Sequence, residues 1–470
     1  MKVSRTIAED IASYALSSSF GDIPVGIVEQ LKLHLLDSIG CAFAALEGIP
    51  ILRLRDHIDE FGGTPVCSLI GGGKTAPDRA ACFNTALTRY VDFMDNFLAE
   101  GETCHPSDNI GSILTAAEFA RATGREILSA LAVAYEVECR LTAGAPIMEK
   151  GFDHTTQLSS SIVAGTGKLL GLNELQLAHA LGIAAVELNA LAVTRAAPTT
   201  QWKGFASSNV AFDAMHLVFL ARNGMTGPLN VFEGVKGFEE ALGKKLDADW
   251  QPGFNHISKC ILKRFNAEVH SQSALEGMIE LHREHRFDPQ DVKEIEVTIF
   301  HTAYDIVGGG KYGDRSRVAT KEEADHSLPY MIAVAVLDDD VQPRQYEPER
   351  IKRADVQGLM KKVKAHPPTR LEKPKLVVNK IDPYTRQYPD EMPCKIEVTL
   401  SSGKKYEIEK RDYSGFFTRP WGWDEVSQKF CNLAHRIGIS RQSAIIDAVR
   451  NLENTSARDL MGLLCAGSQL

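Results

Sequence analysis

From the N-terminus to about Lys263, apolar residues recur at mixed three- and four-residue steps, the spacing that lines one face of an α-helix. Pro24 suits a helix's first turn, and Val25, Ile27, Val28, Leu31, Leu35, Leu36 and Ile39 behind it predict the first long helix. The same pattern predicts helices over Asp78–Phe93, Asn109–Ala122, Arg125–Leu141, Leu158–Leu170, Leu175–Ala192 and Asn209–Arg222, with Gly171 and Gly224 at two expected C-caps. Many of these segments are rich in Ala and apolar nearly all round, as the central helices of a large helical domain are.

Near Ala267 the texture changes. Ser271–Arg286 reads as an amphipathic helix, and in Val292–Phe300 (VKEIEVTIF) Ile295, Val297 and Ile299 alternate with polar neighbours, predicting a half-buried strand. Lys375–Val378 and Lys395–Leu400 repeat the β signal, and Ser402-Gly403 predicts a turn into Lys405–Glu409. After Arg411 the helical period returns at Trp423–Ile437, Arg441–Leu452 and Ser456–Leu464. The expected fold is mainly α. A large all-helical domain is built from both chain ends (residues 1–266 and 411–470), and a smaller α+β domain with an antiparallel sheet is inserted at 267–410.

The 470-residue length allows about three domains or two large ones, and 44% apolar with 24% charged residues is the balance of a soluble globular chain. Lys+Arg 52 against Asp+Glu 61 gives a net charge of −9, which argues against a nucleic-acid partner and confines any anion to a local basic pocket. The nine cysteines include no C-x-x-C pair, so neither a zinc ribbon nor an iron–sulfur cluster is suggested, and reduced thiols in a cytoplasmic compartment are expected. Glu9 and Asp10 interrupt any leader-like run, and no stretch approaches the roughly 20 apolar residues of a membrane span. The triplets Gly71–Gly73 and Gly308–Gly310 continue as no phosphate-loop motif and read as loops. No H-E-x-x-H is present, and His282/His285 sit on a charged, solvated helix face, so no metal and no cofactor is expected.

Five stretches carry more polar chemistry than connectors need. Arg89–Gly111 (RYVDFMDNFLAEGETCHPSDNIG) gathers Asp92, Asp95, Asn96, His105, Ser107 and Asp108. Pro106 and a cap from Ser107, Asp108 or Asn109 would explain part of it, while a carboxylate such as Asp92 holding one ring nitrogen of His105 would leave the other for proton transfer. In KGFDHTT (Lys150–Thr156) a lone histidine at a loop-to-helix junction is commonly structural, but Asp153, Thr155 and Thr156 can account for capping, which leaves His154 available for other work. In QWKGFASSN (Gln201–Asn209) and LKRFNAEVH (Leu262–His270), Lys203, Lys263 and Arg264 stand amid apolar neighbours, where a cation requires an anionic partner unless it snorkels at a helix edge. In ADHSLPY (Ala324–Tyr330), Asp325 and Ser327 are ordinary caps before an apolar run.

Taken in order, RYVDFMDNFLAEGETCHPSDNIG, KGFDHTTQLSSSIVAGTGKLLGL, TQWKGFASSNVAF with NGMTGPLNVFEG, ILKRFNAEVHSQSALEG and ADHSLPYMIAVAVL resemble the MmgE/PrpD family, and within it the branch that dehydrates 2-methylcitrate. The series runs from LLDSIGCAFA near Leu35 to TRPWGWDEVSQKF near Thr418. The resemblance implies a homodimer with a helical domain, a smaller lid and an active site between them, performing metal-independent chemistry on a tricarboxylate. Carried over position by position, it marks Asp92, His105, His154, Lys203 and Lys263 as catalytic candidates, with Asn96, Ser107, Arg264 and Asp325 as candidates for holding the substrate. The expected reaction is β-elimination to a cis-aconitate, with decarboxylation, epimerisation or catalytically silent tricarboxylate binding as alternatives. Two departures stand out. Where the branch usually reads D-F-N-D-T, this chain has Asp92-Phe93-Met94-Asp95-Asn96, and where decarboxylase-like members carry a histidine after the KRF lysine, it has Asn266-Ala267-Glu268.

Overall fold

The computed structural model describes residues 5–369 and 381–465. The chain divides into two compact units: Met1–Val193 with Gly204–Ile261 and Trp421–Leu470, and Thr194–Lys203 with Leu262–Pro420. The architecture is mainly α with a smaller α/β portion, as the periodicity predicts.

In the first unit the predicted helices form at Val25–Ala45, Pro77–Tyr90, Ile110–Ala120, Gly124–Gly144, Thr155–Leu169, Glu174–Glu187 and Ala206–Arg222. Thr155–Leu169 is buried from Thr155 to Gly167 and packs against the helices at Gly124–Gly144 and Ala206–Arg222. Its end follows the glycine rule. Gly171 adopts φ 71°, and Leu172 N–H reaches back to the Gly167 carbonyl at 3.1 Å. At Gly111 a Cβ would lie 2.3 Å from the Thr85 backbone nitrogen, so only glycine permits the helices at Pro77–Tyr90 and Ile110–Ala120 to approach so closely. The C-terminal helices return to this unit as the late helical period predicts, with Trp423–Leu433 against Val25–Ala45. From that helix the buried Lys429 binds Asp37 at 2.8 Å and the Phe93 carbonyl at 2.7 Å. The far end of the chain therefore anchors the Asp92–Asn96 loop.

The second unit carries a four-stranded sheet in the order Val363–His366, Val292–Ile299, Cys394–Leu400, Lys405–Lys410. The last three strands pair antiparallel, Val297 facing Ile396 and Ile396 facing Ile408, and the turn between the last two holds Gly403 at φ 84°. The fourth member, Val363–His366, runs parallel to Val292–Ile299, so the sheet is mixed rather than wholly antiparallel. Its VKAH run alternates over only four residues, too short to mark a strand in sequence. The expected strand at Lys375–Val378 lies outside the described residues. Helices Gln272–His285 and Leu328–Asp338 pack on the sheet and on each other, burying Ile295, Val297, Ile396 and Val398. Among the described residues no single helix is long and apolar enough to cross a membrane.

Candidate active site

The first unit assembles a buried histidine cluster. After Pro77–Tyr90 the chain turns sharply at Asp92, whose φ of 57° is left-handed and strained for a residue with a side chain. The turn directs the Asp92 carboxylate onto Arg89 at 3.1 Å, and Arg89 also faces the Met94 sulfur at 3.7 Å and Asp108 at 3.8 Å. Asp108 in turn accepts from the Ser207 hydroxyl at 2.6 Å. Asp95 is fully buried, and its oxygens meet His34 Nδ1 at 2.6 Å and the Ser107 N–H at 2.9 Å. Burial alone would raise this carboxyl, but His34 and Ser107 hold it below the usual carboxylate range. Asp95 is thus an ionised peg for both sides of the loop.

That loop pins His105. Its Nδ1 lies 3.1 Å from the Asp95 carbonyl and 2.9 Å from the Asn96 side-chain amide, and Asn96 is itself fixed by a backbone pair with Ile261. Asp95 and Asn96 thus hold this ring nitrogen, while the Asp92 carboxylate pairs with Arg89. His154 precedes helix Thr155–Leu169, and its ring meets that of His105 edge-on, centroids 5.0 Å apart, with both rings buried. None of Ser107, Asp108 and Asn109 caps the following helix through its side chain. Asn109 instead donates to Glu138 at 2.6 Å. Glu138 is wholly buried, and burial followed by the charge of Asp108 pushes its carboxyl well above the usual range. Glu138 stands between Glu136 and Arg140 in YEVECR, so nothing local in the sequence marks it.

The second unit assembles the cations. Lys203 donates to Asp325 at 2.6 Å and lies 3.0 Å from His326 Nδ1, while Lys321 binds the other Asp325 oxygen at 3.0 Å. Burial would raise the Asp325 carboxyl, but the two lysines hold it far below the usual range. Only Ser327 caps the apolar helix, accepting from Tyr330 N–H at 3.2 Å, and Asp325 serves as counter-ion. The segment bearing Lys203 is stitched down by Arg195 on the Lys203 carbonyl at 2.8 Å and by the Thr199 hydroxyl on the Glu322 carbonyl at 2.6 Å. Lys263 is fully buried and its charge acts on Glu268. Arg264 turns to Glu276 at 2.7 Å with about a third of its side chain exposed, so an internal carboxylate engages this candidate substrate cation. His326, Lys321 and Glu268 complete the cluster. His326 and Glu268 lay in stretches the sequence singled out, ADHSLPY and LKRFNAEVH, whereas Lys321 carries no local mark.

An ionised peg, two facing imidazoles and buried ammonium groups on carboxylates define a protein built for acid–base chemistry, carried on a helical and an α/β unit. The chain belongs to the MmgE/PrpD family: the family's N-terminal domain matches residues 9–251 and its C-terminal domain residues 265–454. It is 26% identical over 436 residues to a 2-methylcitrate dehydratase of Salmonella typhimurium, covering 88% of this chain and 87% of that protein. It is also 26% identical over 464 residues to the 2-methylcitrate dehydratase of Escherichia coli K12 (94% and 92% covered). A cis-aconitate decarboxylase of Mus musculus is 23% identical over 487 aligned positions (98% and 94%).

Proposed function

We propose that the protein is a metal-independent hydro-lyase that dehydrates 2-methylcitrate, or a close tricarboxylate, to the corresponding cis-aconitate. The observation that carries this reading is the buried His105–His154 pair, with His105 held through Nδ1 by Asp95 and Asn96. Elimination requires a base for a weakly acidic C–H and an acid for the departing hydroxyl, and these two imidazoles are the candidates for those roles. Removing that proton adds negative charge to an already anionic substrate. Lys203 and Lys263, buried where fields are strong, would stabilise it electrostatically, with Asp92 and Arg89 shaping the loop beside His105.

The relatives named for dehydration support the reaction class, and the relative named for decarboxylation supplies the alternative. Incubation with 2-methylcitrate, citrate and cis-aconitate, before and after chelator treatment, followed by NMR, decides between them. Loss of water from 2-methylcitrate at an unchanged rate after chelation is expected. Carbon dioxide release from cis-aconitate without dehydration of 2-methylcitrate would sink the proposal. We further propose a cytoplasmic homodimer, which light scattering on the purified chain and fractionation of the source cells would test.

A further inference from the structure

The second unit contains a buried carboxylate–imidazole–phenol chain. Glu268 caps the short helical turn Val269–Ser271, one oxygen accepting the His270 backbone N–H at 2.9 Å and the other lying 2.7 Å from His270 Nδ1. His270 Nε2 lies 3.0 Å from the Tyr388 hydroxyl. A carboxylate only accepts, so Nδ1 carries a proton; in the neutral imidazole Nε2 then presents its lone pair and the phenol donates to it. The order of parts is that of a base-activated hydroxyl: carboxylate, oriented imidazole, O–H. Tyr388 is held flat on Phe300, ring centroids 4.8 Å apart, and all three relay residues are buried. Glu268 also faces Lys263 and His326, and its charge reaches Arg315 and Tyr413. Packing alone gives no reason to align three ionisable groups in an interior, where each costs desolvation.

We infer that Tyr388, driven by Glu268 and His270, is a proton-accepting residue of this enzyme. The inference rests on the hydro-lyase reading and takes over one of the two transfers there given to His105 and His154. With the phenol hydrogen directed at His270, the oxygen's lone pairs accept from carbon. The C–H bond breaks, its proton passes to the phenol oxygen, and the phenol's own proton moves to Nε2, forming an imidazolium beside the Glu268 carboxylate. The C–H electron pair becomes the new C=C bond as the C–O bond breaks. The departing hydroxyl takes a proton from a general acid of the enzyme and leaves as water, and solvent then restores both groups. Tyr388 is the catalytic member, and Glu268 and His270 are positioning residues.

Tyr388→Phe keeps the ring on Phe300 and removes only the hydroxyl. With 2-methylcitrate as probe, it should lower kcat by about 100-fold or more with KM little changed, and abolish the acidic limb of the kcat–pH profile. His270→Gln should do the same, and the double variant should be no slower than either single one. Wild-type kcat and pH profile in folded Tyr388→Phe would overturn the inference. A second readout needs no turnover: in ¹⁵N-histidine-labelled protein, His270 should show a protonated Nδ1 and a bare Nε2 whose resonance moves in Tyr388→Phe. The opposite tautomer would also overturn it. A wild type inert toward 2-methylcitrate defeats the hydro-lyase reading instead, and the relay then stands or falls on the His270 resonances.

Discussion

Replacing Glu276 by Gln tests how the second unit is tied together. Glu276 lies on helix Gln272–His285 and is 1% exposed. One oxygen takes Arg264 at 2.7 Å and the Ser414 N–H at 2.9 Å, the other Arg419 at 2.5 Å and Lys410 at 3.0 Å. It thus joins the KRF segment, the end of the last strand and the loop beyond. Burial would raise this carboxyl, but Arg419, the Ser414 N–H and Lys410 lower it from 4.5 to about 2. At 1.36 kcal/mol per pH unit that difference is worth about 3 kcal/mol. Solvent around Arg419 and Arg264, 42% and 35% exposed, screens part of it, and Lys410 and Arg419 retain Glu280 and Asp412 as alternative partners. A loss of about 1–3 kcal/mol is therefore expected at neutral pH. Because the folded-state pKa is depressed, this stability is complete above 4.5 and fades as pH falls toward about 2, whereas Gln does not titrate. Urea midpoints from tryptophan fluorescence should differ almost equally at about pH 7 and 5, with the gap narrowed to roughly 60% at about pH 3.5 and closing only toward about 2. Coincident curves at neutral pH, or a gap undiminished in acid, would refute the reasoning.

Further expectations follow from the two clusters. His105→Gln and His154→Gln should each lower turnover of 2-methylcitrate by about 10²–10⁴-fold with near-UV circular dichroism unchanged; near-normal turnover removes that residue from the catalytic set. Lys203→Met should reduce kcat by at least about 100-fold while Asp325 keeps Lys321 at 3.0 Å, and a folded variant with unaltered kcat would discount its electrostatic role. Glu138→Gln tests the upward shift of a buried carboxyl. The folded state holds this proton above 4.5 whereas the unfolded state releases it, so wild-type stability falls with rising pH and that of Glu138→Gln does not. Melting temperatures should favour the variant progressively from about pH 5 to 8, and a constant difference would show that Glu138 is ionised in the fold.

Much of the framework is legible in the chain because apolar periodicity reports a local property, the side of the backbone that is buried. Val292–Ile299 ends one residue short of the predicted strand, and Gly171 ends its helix where a left-handed cap belongs. The parallel strand Val363–His366 escaped because an alternation of four residues is too short to stand out and its pairing lies far off in sequence. The polar stretches also identified themselves, since Asp95, His105 and His154 exceed what turns and caps require. Their partners did not. Asp92 turns to Arg89, and His105 is held by Asp95 and Asn96 because the left-handed turn at Asp92 rotates its side chain toward the preceding helix.

What the sequence determined by itself is which residues are inside and which side chains are too polar for their surroundings, since both follow from short-range spacing and the cost of burying charge. Only the tertiary structure decided who neutralises whom: Lys203 with Asp325, 122 residues away, and Arg264 with Glu276. Coulomb energies and pKa values depend on distances of a few ångströms and on the local dielectric, and those are set by packing between distant segments.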